Sequence, residues 1–234
     1  MSRSIRHAQL VTGAVVATLA LPLGAAPAGA AALTTSAPKP CVSSGCKVVS
    51  RADVDGDGRA DTVSLTRQSR GAWHALRVVT ARGAVSSVKI STSWLWSGQT
   101  PFLGAVALDG QRGAELVILT GTGAHTAFHR VYTWRSGRLV AEKDPSGSTT
   151  WTTDGAAAFA RGYTLRTVKG TPQLTSIDYA RDSWGDTATF SGRRIVAQWK
   201  NGRWTAITDR HVVVKEGPAV WRGAGWNVKG IARF

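Results

Sequence analysis

The sequence predicts an all-β protein built from repeated hairpin units. Past residue 50 the apolar residues alternate with period two, and no stretch sustains a helical stripe. Two-residue turns of the Ser-Gly and Asn-Gly kind punctuate that alternation. An acidic, glycine-bearing loop recurs at a constant offset of 54 residues, with Asp55-Gly56 and Ala60-Asp61 matched by Asp109-Gly110 and Ala114-Glu115.

The strands follow from these signals. Segments 62–66, 76–80, 116–120 and 130–134 are short, rich in β-branched residues and bounded by Gly, Ser or Asp. Arg-Ser-Gly-Arg at 135–138 and Lys-Asn-Gly-Arg at 200–203 read as tight hairpin turns, because Asn and Gly tolerate positive φ. The hairpins align: Arg-Val-Tyr-Thr-Trp-Arg-Ser-Gly-Arg-Leu at 130–139 matches Ile-Val-Ala-Gln-Trp-Lys-Asn-Gly-Arg-Trp at 195–204, with a weaker copy at 77–85. Trp134 and Trp199 therefore occupy one repeat position, as hairpin packing residues would. One unit reads acidic loop, strand, Gly/Ser turn, strand, hairpin, strand. In period and content it resembles one blade of a β-propeller. The units run roughly 50–103, 104–150 and 151–210, followed by C-terminal strands within 211–234. Three are too few to close an ordinary propeller. The expectation is a partial or small propeller-like arrangement, partly open and closed by tail strands near 211–215 and 227–231.

Ahead of the β domain stands an address. Arg3 and Arg6 precede an apolar run at 10–23, and Ala28-Gly29-Ala30 supplies the small residues a signal peptidase reads. Residues 1–30 are expected to leave as a signal peptide, giving a secreted, extracellular protein with no transmembrane anchor. Cys41 follows Lys39-Pro40 rather than a lipobox, so a lipid anchor is not expected. Residues 31–49 read as a flexible linker. In an oxidising compartment its two thiols, Cys41 and Cys46, are expected to pair across a Ser-Gly turn.

The 234 residues are 43% apolar, enough for a core-forming domain and too apolar for global disorder. Two Cys exclude a disulfide scaffold and a four-Cys zinc site. The formal charge is +15, and the chain stays strongly basic after Arg3 and Arg6 leave. Outside a cell that charge suits wall polymers and lipid headgroups as much as nucleic acid.

The sharpest chemical feature is Asp53-Val-Asp55-Gly-Asp57-Gly58-Arg59-Ala-Asp61. Carboxylates at alternate positions of a tight loop point at one centre, and Gly58 stands where the chain must turn. Asp53, Asp55, Asp57 and Asp61, with the backbone carbonyl of Arg59, form a hard oxygen cage suited to calcium. Ser64 stands where an EF-hand needs its bidentate Glu, and a strand follows where it needs a helix, so that reading is rejected. The loop-then-strand pattern resembles the FG-GAP/VCBS repeat of integrin-like propellers, as found in small secreted actinobacterial proteins. The resemblance is specific over 53–66 and looser over 105–118, where Ala107 and Gln111 replace two acids. It implies a structural Ca2+ rather than a catalytic one, and leaves metal binding at Asp109 doubtful.

Other candidates carry less. His125 and His129 share a strand face at most and lack a third zinc ligand, so each reads as a surface or hydrogen-bonding residue. His74 and His211 are read the same way. Asp178, Asp182 and Asp186 read as an acidic turn. Trp94, Trp96 and Trp226 stand open between core packing and stacking on a ligand. No nucleophile-elbow, zinc-protease or P-loop motif is present. The leading expectation is a non-catalytic, calcium-stabilised β-repeat module that binds a cell-surface polymer or an extracellular protein, with no specific nucleic acid. The alternatives are a secreted hydrolase on the same scaffold and a basic, polyanion-binding wall protein.

Overall fold

Period-two alternation produces strands, and the strands form two sheets. The computed structural model describes residues 37–67, 73–92, 95 and 99–232, within the unit Ala37–Phe234. The first sheet is antiparallel and follows chain order: β1 (Cys46–Ala52), β2 (Asp61–Arg67), β3 (Trp73–Val79) and β4 (Val85–Ser91). The second holds ten strands. β5 (Phe102–Val106), β6 (Glu115–Thr122) and β7 (Thr126–Arg135) pair in order. β7 then serves two neighbours: residues 131–135 pair with β8 (Arg138–Glu142), and residues 126–129 pair with β9 (Trp151–Asp154). β10 (Phe159–Val168), β11 (Thr171–Arg181), β12 (Thr189–Lys200) and β13 (Arg203–Lys215) complete the run. The short β14 (Gly225–Asn227) adds in parallel to β10. The all-β expectation holds, and neither sheet closes into a barrel.

The turn chemistry is as read. Ser136 and Asn201 have φ of 49° and 51°, each followed by a glycine at positive φ. Trp134 faces Leu139 across one hairpin, and Trp199 faces Trp204 across the other. Both Trp residues are half-buried, each packed on a core cluster. Lys169 and Gly170 make a further turn of this kind between β10 and β11. Nothing in the residue type of Lys169 announces it, since the permissive residue is only its neighbour.

Strand β6 shows how one pattern builds two cores. It is buried on both faces, which is why it reads as a continuous apolar run. Leu116 and Ile118 join Val63, Leu65, Leu76, Val78 and Ile90 of the first sheet. Val117, one residue out of phase, joins Leu174, Ile195, Ala197 and Trp204 on the other side. Each such aliphatic side chain stabilises the fold by about 1.5–3 kcal/mol on burial. The C-terminal tail fills the second core with Trp226, Val228 and Ile231. Trp226 stacks on Trp151 at 5.6 Å between ring centroids and lies 4.9 Å from Tyr163, so it belongs to the core. A Cβ on Gly162 would lie 2.3 Å from the Gly223 carbonyl oxygen, and one on Gly104 equally near that of Gly230. The tail backbone can cross the sheet only where no side chain stands.

Three sequence boundaries shift. β1 begins at Cys46, inside the segment read as linker, because Lys47-Val48-Val49 extends and Lys47 and Val48 pair with β2. Of the tail segment 227–231 only Asn227 is in a strand. A helix, α1 (Pro218–Gly223), was not expected; at six residues it is too short to show a helical period. Pro218 opens it, and Val220 and Trp221 cover Ile177, Tyr179 and Phe190 on the outer face of β11 and β12. Cys41 and Cys46 are joined by a disulfide, as expected. Among the described residues no helix is long and apolar enough to cross a membrane. The expected signal peptide, and Trp94 and Trp96, lie outside the described residues.

Candidate metal loop and buried carboxylate cluster

The loop between β1 and β2 is organised by its own carboxylates. Asp53 Oδ1 accepts the amides of Gly56 at 2.8 Å and Asp57 at 3.1 Å, and its Oδ2 accepts that of Gly58 at 2.9 Å. Asp61, the first residue of β2, is buried. Its Oδ2 accepts the amides of Val54 at 2.7 Å and Asp55 at 3.1 Å, and its Oδ1 that of Ala81 at 2.8 Å. Gly56 and Gly58, both at positive φ, let the chain bend tightly enough for this. Oxygens of Asp53, Asp55 and Asp61 come within 4.8 Å of one another. An ionised carboxylate retains lone pairs beyond such amide bonds, so the three fit a hard cation. Burial pushes the Asp55 carboxyl above its ordinary range; Asp61 adds to the rise, Asp57 and Asp53 contribute less, and the Asp57 amide opposes it. A cation there would relieve that repulsion. Of the residues read as ligands, Asp57 turns elsewhere, with Oδ2 2.9 Å from Arg82 Nε. Arg59 donates its amide to Asp57 Oδ1 and reaches the Ala81 carbonyl with its side chain.

The loop between β5 and β6 has the same hydrogen-bond frame. Glu115 Oε2 accepts the amides of Leu108 at 2.8 Å and Asp109 at 3.4 Å, as Asp61 does those of Val54 and Asp55. Asp109 Oδ1 accepts the Gln111 amide, as Asp55 Oδ1 accepts that of Asp57. Arg135 stands where Arg82 stands in the aligned hairpin. It is paired with Asp109 Oδ2 and lies 3.8 Å from Glu115 Oε1. The two loops touch: Ala114 donates its amide to the Asp53 carbonyl at 2.8 Å, and a Cβ on Gly113 would lie 2.4 Å from the Val54 carbonyl oxygen.

A third acid joins the second loop. Asp109, Glu115 and Glu142 bring carboxylate oxygens within 4.8 Å of one another, and all three residues are buried. Thr133 donates to Glu115 Oε1 at 2.9 Å, and Trp204 Nε1 donates to Glu142 Oε1 at 2.9 Å. Glu142 Oε2 is buried without a hydrogen-bond partner. Burial, aided by Asp109, raises the Glu115 carboxyl to about 7, and burial with Glu115 and Asp109 raises Glu142 well above the carboxylate range. Glu142 also lines a cavity of about 510 Å³ shared with Arg135, Trp199 and Trp204. Sequence reasoning missed Glu142, which ends an ordinary strand as Val-Ala-Glu-Lys, where a Glu is normally exposed.

The remaining sequence candidates separate. His129 is fully buried, bonds Thr153 Oγ1 at 3.0 Å and meets the Trp226 ring edge-on, while His125 is exposed on a turn. Burial lowers His129 to about 3, so it is neutral. Asp178 lies within β11 and pairs with Arg161 at 2.5 Å. Asp182 accepts the Thr189 and Ser191 hydroxyls, and Asp186 stands exposed, so the acidic turn is not one cluster. Trp184 is 71% exposed, with the Arg181 guanidinium 4.3 Å from its ring centroid.

Comparison of the chain with protein-family models, with curated proteins and with solved structures gives no match.

Proposed function

We propose that this protein is an extracellular, non-catalytic binding module of three β-repeat units, stabilised by calcium and directed at a cell-surface polymer or protein. The observation that carries the reading is the convergence of Asp53, Asp55 and Asp61 in a loop whose amides already hold each carboxylate in place. The matching frames at Asp61 and Glu115, and the matching turns at Ser136 and Asn201, support the repeat and with it the resemblance to VCBS/FG-GAP units. The Cys41–Cys46 disulfide supports an oxidising, extracellular setting, and the charge of +15 supports a polyanionic partner there.

A hydrolase reading draws on the raised Glu115 and Glu142 beside a cavity. Glycosidase carboxyl pairs stand about 5–5.5 Å apart in retaining enzymes and about 6.5–9.5 Å in inverting ones. Here three carboxylates rather than two gather in one buried cluster, and Thr133 and Trp204 already hold Glu115 and Glu142 by hydrogen bonds, which favours a structural cluster. The binding-module reading is tested by thermal melting in calcium and in chelator, together with retention of the folded protein on cell-wall polymer. Calcium should raise the melting temperature. Identical melts in both conditions would remove the metal from the proposal, and failure to retain on any wall fraction would remove the polymer.

A further inference from the structure

The outer face of the last strands carries cations that the rest of the molecule leaves alone. A cavity of about 510 Å³ opens between β10, β11, β12 and α1, with Arg166, Arg194 and Arg222 on its walls. No acidic side chain lines it. Elsewhere a guanidinium with a carboxylate in reach takes it: Arg82 with Asp57, Arg161 with Asp178, Arg181 with Glu216, Arg193 with Asp209. Arg166, Arg194 and Arg222 form no ion pair or hydrogen bond among the described residues. Arg210, directly across from Arg194 on β13, adds a further cation to that register position.

The cavity is held rigidly. Its floor is the register in which Thr164 faces Thr175 and Ile177 faces Arg194. Gly223 lets α1 press on this floor, since a Cβ there would lie 2.6 Å from Ile177 Cδ1. β14 pairs with β10 behind it, and Asn227 is fixed by donating to the Ala224 carbonyl at 3.1 Å. Three exposed like charges around one concavity set up a positive field that favours an anion. Guanidinium forks suit phosphate oxygens, and Thr164, Thr175 and Asn227 offer neutral partners for hydroxyls. The one aromatic in the lining, Tyr179, is buried, so no ring is offered on which a base could stack. The volume exceeds the roughly 30 Å³ of one water many times over, which suits more than a single oxyanion.

We infer that this cavity binds phosphodiester groups of a polyol- or sugar-phosphate polymer through Arg166, Arg194 and Arg222. The inference rests on the binding-module reading for its extracellular setting and names the polymer class for it.

The test is titration calorimetry of the full folded protein, disulfide intact, with poly(glycerol phosphate) at about 150 mM salt, where long-range charge effects are largely screened. Arg194→Gln combined with Arg222→Gln should weaken binding about tenfold or more. Arg138→Gln combined with Arg203→Gln removes the same charge from exposed hairpin turns and should change affinity less than about twofold. Equal losses in the two double variants, or no binding by the wild type, would overturn the site. A uronate polymer binding as tightly would overturn the phosphate assignment, and single-stranded DNA binding more tightly would overturn the polyol one. Melting curves in calcium, run on every variant, keep the two readings apart. Wild-type protein that does not bind the polymer but is stabilised by calcium sinks only this site, and wild-type protein that binds the polymer without calcium stabilisation sinks only the metal.

Discussion

The loop at 53–61 and the loop at 107–115 share a hydrogen-bond frame and differ in how their charge is answered. Both anchor a β-strand through a carboxylate that accepts the amides six and seven residues upstream. The first adds Asp53 and Asp57, and among the described residues its ion pair is with Arg82, 69% exposed at the edge. The second has Ala107 and Gln111 at those positions and draws in Arg135, whose side chain is 31% exposed. In the reading proposed above the first loop takes a positive charge from solution, whereas the second has Arg135 of its own chain beside its carboxylates. The Arg135 guanidinium also lies 3.8 Å from Glu115, while burial with Glu115 and Asp109 raises the Glu142 carboxyl well above its ordinary range.

The largest effect should come from removing the built-in cation. Arg135→Met strands buried carboxylates without compensation and is expected to cost about 3–5 kcal/mol in urea unfolding. Arg82→Met, at an exposed pair, should cost under about 1 kcal/mol. If the two cost the same, Arg135 is not the second loop's counter-charge.

The next contrast is calcium itself. At a hundredfold excess over Kd the ion should add about 2.7 kcal/mol. Asp55→Ala should abolish most of that increment. Asp109→Ala should leave it in place, whatever that change costs the fold. An increment that survives Asp55→Ala, or vanishes with Asp109→Ala, would reverse the assignment of the two loops.

The glycines where the loops meet sharpen the comparison further. Gly113→Ala combines positive φ with a contact on the Val54 carbonyl and should cost about 2–3 kcal/mol in thermal melting. Gly58→Ala has open space around it and should cost only the left-handed strain, about 1–2 kcal/mol. A greater loss at Gly58 would show that the loops do not lean on each other there.

The last contrast is a dependence on pH. Glu115 titrates near 7 when folded, against 4.5 ordinarily, because of burial and Asp109. Between those values the folded state keeps a proton that the unfolded state has released, so this residue's contribution is lost as pH rises through the window, by about 1 kcal/mol per unit. Glu115→Gln should remove that loss. Its stability should then climb more steeply from pH 4.5 to 6.5, because His129, depressed to about 3, destabilises the fold as pH falls below 6.5. Parallel stability curves for wild type and variant would show that Glu115 is ionised like any surface acid.

Local chemistry was legible in the sequence. Alternation marked strands, Ser136-Gly137 and Asn201-Gly202 marked hairpins, and the spacing from Asp53 to Asp61 marked a loop that folds on its own carboxylates. The pairing of Cys41 with Cys46 was legible too, since a five-residue separation leaves little freedom. Each of these depends on contacts between near neighbours in the chain. What reached across the chain was not legible. Trp226 enters the core because Gly104 and Gly162 leave the tail room to cross, 122 and 64 residues after those glycines were placed. Glu142 meets Glu115 and Trp204 only once β7 has brought β6 and β8 to its two sides, and Arg222 meets Arg166 and Arg194 only when α1 settles on the last sheet. A single sequence encodes the turn and the period directly, because backbone sterics and hydrogen bonding act over a few residues. Which side chains share a buried charge or a cavity is decided by how the sheets pack, where burial makes a modest local choice costly or functional.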